Sequence, residues 1–111
     1  MTSLNEKLRG IGDMFGSAVR KSYHYRKSPG VKPPYAVWKE DGEDEQLYTD
    51  SEKVEQSITG SIDFFTLREF DPLIDTLQET LNTHMENWTL VSVDYEDETK
   101  LIHYSWEWSK L

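Results

Sequence analysis

"GSIDFFTLREFDPLIDTLQETL", residues 60–81, changes its hydrophobic period partway along, and that change sets the class of fold. In its first part Ile62 and Phe64 fall on one face with Gly60, while Ser61 and Asp63 fall on the other. Period-two alternation marks an antiparallel strand with one face on a core and the other in water. The pattern reaches back to Leu47, with Val54 and Ile58 on the apolar face and Glu55, Ser57 and Thr59 opposite. It predicts a long strand over 47–66, bent or bulged at Gly60. After Phe70 the period becomes helical. Asp71 is a good N-cap, and Pro72 takes the first helical position, where its missing N–H costs nothing. Leu73, Ile74, Leu77, Leu81 and Met85 form the buried stripe, with Asp75, Gln78, Glu79 and Asn82 outside.

Toward the C-terminus, residues 88–96 and 101–109 predict two strands around an acidic turn. Val91, Val93 and Tyr95 share a face of the first; Ile102, Tyr104, Trp106 and Trp108 share a face of the second. His103, Ser105 and Glu107 point the other way, and Asp97 and Glu98 lie at the turn, in water. Toward the N-terminus, "YAVWKE" (35–40) predicts a short strand with Tyr35 and Val37 on one face. "KSPGVKPP" (27–34) is a loop, punctuated by Pro and Gly. Residues 3 to about 23 predict an amphipathic helix: Ser3 and Glu6 have capping-box spacing, and Leu4, Leu8, Ile11, Phe15, Ala18 and Val19 make one stripe. Gly10, Gly12 and Gly16 weaken it by up to ~1 kcal/mol each, which points to close packing on that helix or, as the alternative, to a segment that rearranges. The expected architecture is α+β: an antiparallel β-sheet with two helices packed on one face, in the order α-β-β-β-α-β-β. A single domain over 1–111 is expected, with 1–26 as N-terminal helix and linker and 33–109 as core.

At 111 residues with 36% hydrophobic residues, the chain has a core of moderate size; four Trp, six Tyr and four Phe mark it as folded, not an acidic tail. Without cysteine, no disulfide framework or thiolate metal site is expected. No apolar run approaches the ~20 residues of a membrane span. The N-terminus shows no hydrophobic signal core, so a soluble, cytosol-made protein with no membrane partner is expected. The charge is polarised. Residues 1–39 hold eight Lys and Arg against two acids, net +6, and the remaining four bases and nineteen acids give net −15. An acidic chain is a poor general binder of nucleic acid, because phosphate neutralisation drives such binding. A positive front and a negative remainder do suit front-to-back stacking of copies, which closes into rings or runs on as filaments.

"EDGEDE" (40–45) places five carboxylates around Gly42, but EF-hand spacing and its terminal Glu are missing, so a solvated turn is expected. His24, His84 and His103 fall on two helix ends and a strand, without metal-ligand spacing; His103 and Glu107 share a face and are expected at most as a surface pair. "GIGDMFG" lies inside a helical pattern and lacks the Lys-Ser/Thr ending of a phosphate loop. Trp106 and Trp108 sit among acids, away from the basic residues, and read as core or subunit-interface residues, not as a stacking platform for single strands. No catalytic residue, metal, cofactor or small-molecule substrate is therefore expected.

Three segments in order, "PPYAVWKEDGEDEQLYTD", "GSIDFFTLREFDPLIDTLQETL" and "VSVDYEDETKLIHYSWEW", resemble a family of small tail proteins of tailed bacteriophages and prophages, especially of Gram-positive hosts. The family is described as tail-completion, tail-terminator or head-to-tail joining proteins. The likeness spans roughly residues 33–109 and rests on a Gly before an alternating strand ending in Phe-Thr, an Asp-Pro-Leu helix start, and an acidic turn leading to Ile-His-Tyr. Lys100 departs from it, standing where a turn glycine is expected. The resemblance implies an α+β fold that assembles, often as a hexameric ring, on the end of the tail tube. There it stops tube growth and joins the head. Its partners would be itself, the tail tube protein and the head connector, and its location the host cytoplasm during assembly and then the virion tail. Candidate contacts for such a ring are Glu40, Asp41, Glu43, Asp44 and Glu45, Lys27 and Lys32 of the flexible loop, Trp106 and Trp108 of the aromatic strand face, and the strand edges. The alternative is an acidic regulatory module that mimics the charge of DNA.

Overall fold

The computed structural model describes residues 2–44, 48–49, 52–53 and 55–111, the two-residue pieces by backbone pairing alone. In chain order the elements are α1 (Leu4–Ala18), β1 (Ser22–His24), β2 (Tyr35–Glu43), β3 (Tyr48–Thr49), β4 (Glu52–Lys53), β5 (Ile58–Thr66), α2 (Pro72–His84), β6 (Asn87–Tyr95) and β7 (Ile102–Lys110). The α+β class and the element order expected from the sequence hold, with β1 as an added short strand.

The main sheet runs β1-β2-β5-β7-β6, and β3 and β4 pair separately. All neighbours in the main sheet are antiparallel except β1 and β2, which are parallel, so the sheet is mixed. The parallel edge changes the reading of the first helix. Helix α1 stops at Ala18; Val19 is extended, and its N–H closes the last turn on the Phe15 carbonyl at 2.9 Å. The chain then enters β1, so His24 lies on a strand rather than a helix end. The single strand expected over 47–66 does not form: only Ile58–Thr66 joins the main sheet, residues 55–57 are irregular, and Tyr48–Thr49 pairs with Glu52–Lys53 in the separate sheet, while Leu47 and Val54 lie outside the described residues.

Register decides which side chains meet. Trp38, Ile62, Trp106 and Leu90 form one row across four strands, and Ala36, Phe64, Tyr104 and Val93 the next. Both helices cover this face, with Ile11, Phe15 and Ala18 from α1 and Leu77 and Leu81 from α2 buried against it. Each large side chain so buried stabilises the fold by about 1.5–3 kcal/mol. Trp106 is fully buried and donates its Nε1–H to Gln78 Oε1 at 3.1 Å, so Gln78 faces inward on α2 rather than outward. Gly60 pairs with Trp108 in register, and the indole occupies the space a side chain there would need. Of the α1 glycines only Gly12 is packed closely, its Cβ position 3.1 Å from the Trp38 ring; Gly10 and Gly16 face open space.

Two bulges move residues from their expected places. On β2 the register shifts between Glu40 and Gly42, and the strand continues to Glu43. Much of the acidic run is thus strand, not turn. On β6 it shifts between Leu90 and Ser92, leaving Val91 as the extra residue. Trp88, Leu90, Val93 and Tyr95 therefore share the helix-side face, whereas uninterrupted alternation had grouped Val91 with Val93 and Tyr95. At the β6–β7 turn, Lys100 has φ 65°, the left-handed conformation that the expected glycine would favour. The radius of gyration is 15.0 Å, against about 13 Å for a compact chain of this length, and the body measures 51 × 23 × 22 Å.

Candidate interaction surfaces

The helix-free face of the sheet carries a line of rings. Tyr35, Phe65 and His103 are register partners across β2, β5 and β7. Tyr35 stacks on Phe65 with centroids 4.9 Å apart, and Phe65 on His103 at 4.2 Å. His103 Nε2 lies 2.9 Å from Asp63 Oδ1, so its partner is Asp63 and not Glu107. The segment after β1 folds over this line and places Lys27 Nζ 5.4 Å from the centre of the Tyr35 ring. Burial and then the negative charge of Glu96 raise the Tyr35 pKa above the ordinary phenol value. The result is a cleft of about 330 Å³, walled by Tyr25, Arg26 and Lys27 and floored by Tyr35, Val37 and Phe65, with Asp63 and His103 at one side.

Beside it, Glu40 ties β2 to β1. Its Oε2 lies 2.7 Å from His24 Nε2, and Tyr25 donates its hydroxyl to Oε1. Burial pushes the Glu40 pKa up, but the Tyr25 and His24 hydrogen bonds outweigh it and hold the carboxylate below its ordinary range. The same bond, with burial and the Glu40 charge, raises the Tyr25 phenol. His24 is sandwiched between rings, 3.7 Å from Tyr25 and 3.9 Å from Trp38. Tyr25 reaches this position with φ 72°.

A second surface lies on β6, an edge strand of the sheet. Leu90, Val91, Val93 and Tyr95 are 42%, 46%, 50% and 57% exposed, although the register partners of Leu90 and Val93 are the buried Trp106 and the half-buried Tyr104. The apolar face of the sheet therefore continues past the cover of the helices. Thr66, Ile102 and Tyr95 lie in one row, so the β5–α2 turn shares this end of the molecule. That turn exposes Leu67 and, at 85%, Phe70, which has φ 59°. Asp71 holds the turn in place: its Oδ2 accepts from Thr66 Oγ1 at 2.6 Å and its Oδ1 from the Leu73 N–H at 2.9 Å.

The contact residues expected from sequence do not converge. Lys27 lines the cleft, whereas Lys32 does not, its carbonyl accepting from Lys21 Nζ. Glu40 is engaged with His24 and Tyr25, and Asp41 is exposed and paired with Lys39. Glu43 and Asp44 follow on β2 and just beyond it, each half-buried, and Glu45 lies outside the described residues. Trp106 and Trp108 are 0% and 3% exposed, inside the core, which removes them from any contact surface. The cleft rings were missed, and of the strand edges expected as contacts β6 was not singled out. Their signal was present in the alternate positions of β2 and β5 and in the hydrophobicity of "TLVSVDY".

A hollow of about 570 Å³ lies between α1, the end of α2 and the C-terminal residues. Lys7 in its wall is 2.8 Å from Glu55 Oε1 and also donates to the Gln56 carbonyl. Among the described residues, no three His, Asp or Glu side chains are grouped to hold a metal ion. Among the same residues, no helix is long and apolar enough to cross a membrane. No protein-family model matches the chain, and no curated protein matches it significantly.

Proposed function

We propose that this chain is a structural assembly protein of a phage or prophage tail, which self-associates as a ring on the end of the tail tube and offers the surface where the head connector joins. Two kinds of support meet here. The ordered resemblance over residues 33–109 supplies the class of protein. The observation that carries self-association is the uncovered apolar strip of β6: chains that stay monomeric blunt a sheet edge with charge, proline or a covering element, and an uncovered apolar one marks an interaction surface. The polarised charge adds direction, since complementary fields steer and orient encounters even where single surface pairs contribute little.

Tail tube protein from the phage that encodes the chain, polymerised with and without it, tests this reading by electron microscopy. Shortened tubes with a ring of extra density at one end are expected. Tubes of unchanged length with bare ends would refute the function.

A further inference from the structure

We propose that the β6 flange, residues 90–96, lies by its helix-side face in the Tyr25–Phe65 cleft of a second copy of this chain, an inference that rests on the assembly reading above. The two surfaces match in chemistry. The flange presents Leu90, Val93 and Tyr95 on one face and ends at Glu96, with Asp97 and Glu98 in the turn just beyond its tip. The cleft offers a floor of Tyr35, Val37 and Phe65, with Arg26 and Lys27 along its wall. Its volume of about 330 Å³ is at the bottom of the range for small-molecule pockets and suits protruding side chains such as Tyr95. An apolar strip entering an aromatic floor supplies affinity, and an acidic tip crossing Arg26 and Lys27 sets direction.

Geometry then dictates the kind of assembly. The flange belongs to the β6 edge and the helix side of the sheet, whereas the cleft opens on the opposite face across β2, β5 and β7, its His103 wall being the register partner of Asp94 on β6. One copy's flange therefore meets its neighbour's cleft in a heterologous, lapped joint, which leaves a free flange and a free cleft until a ring closes. Seven extended residues span roughly 24 Å. Covering one face of them buries less than the ~800 Å² per partner of a standard interface. Each joint is weak alone, and closure, with its high effective concentration, holds the ring.

The chain has no cysteine, so engineered thiols report contacts without background. A variant carrying both Tyr95→Cys and Val37→Cys is treated with a short bismaleimide, free at high concentration and on tail tubes, beside each single variant and an Asn82→Cys control. A ladder of covalent multimers from the double variant, with only monomer from the singles and the control, is expected. Dimers from Tyr95→Cys alone would overturn the joint in favour of a two-fold contact. Assembly by mass without a ladder would overturn the joint and leave the tail reading standing, whereas absence of both assembly and ladder would overturn both.

Discussion

Replacing Gly60 by Ala tests the register of the core. Gly60 pairs with Trp108 on β7 and lies beside Lys39 on β2. A Cβ at Gly60 would overlap the Lys39 carbonyl oxygen and the Trp108 Cζ2, and would meet Trp108 Cη2 at 2.6 Å. The carbonyl belongs to the backbone of a paired strand, and the indole is wedged against Phe15 with ring centroids 5.9 Å apart. Neither yields cheaply. Overpacking costs about 1–3 kcal/mol where neighbours adapt, so ~3 kcal/mol or more is expected here. At about 4–8 °C per kcal/mol, the melting temperature falls by roughly 12 °C or more. Calorimetry and urea titration of wild type and Gly60→Ala measure it, with unchanged far-UV dichroism at low temperature as the folding control. A loss under ~0.5 kcal/mol would refute the placement of Trp108 over Gly60.

Three further outcomes follow from particular contacts. Asp71→Ala removes the α2 cap and takes the acceptor from the buried Thr66 hydroxyl, which keeps only the bond it accepts from the Arg68 N–H, so urea titration should show a loss of about 2–3 kcal/mol; a loss below ~1 kcal/mol would contradict the double role. In α1, Gly16→Ala faces open space and should raise stability by up to ~1 kcal/mol, whereas Gly12→Ala should gain less or lose, because its methyl group meets Trp38; equal gains in thermal melts would refute the packing. The third concerns pH. The folded-state pKa of Glu40 is depressed, so its contribution is present above the unfolded value near 4.5 and fades as pH falls below it. The stability gap between wild type and Glu40→Gln should be full at pH 7 and shrink from pH 4.5 downward, and a gap constant in urea titrations from pH 7 to 3 would refute the role.

Residues whose neighbours in sequence are also their neighbours in space were legible. Asp71 and Pro72 start α2, and the alternation of Ile58 to Thr66 gives β5, because caps and periods are local. Features made by distant partners were not. Ser22–His24 continues no period of its own and becomes a strand only by pairing with Ala36–Trp38. The bulge at Val91 breaks the alternation of β6 without any glycine to announce it. The cleft brings Lys27, Tyr35, Phe65 and His103 together from four segments, and no one of these segments alone shows that the four residues meet. Trp106 and Trp108 were open to core or interface by pattern, and only the cover of two helices decides for the core. Lys100 was legible as an anomaly: its left-handed backbone keeps the shape of the turn while changing the residue.

Self-association through the β6 strip is the claim on which the assembly account stands, and the mass of the purified protein tests it most directly. Sedimentation velocity is measured across protein concentration and ionic strength, alone and with isolated tail tubes. The account predicts a closed oligomer that gains population with concentration or on tubes, weakens as salt screens the charged tip and is lost in Tyr95→Asp. A protein that stays monomeric at every concentration and salt and ignores the tubes would contradict it.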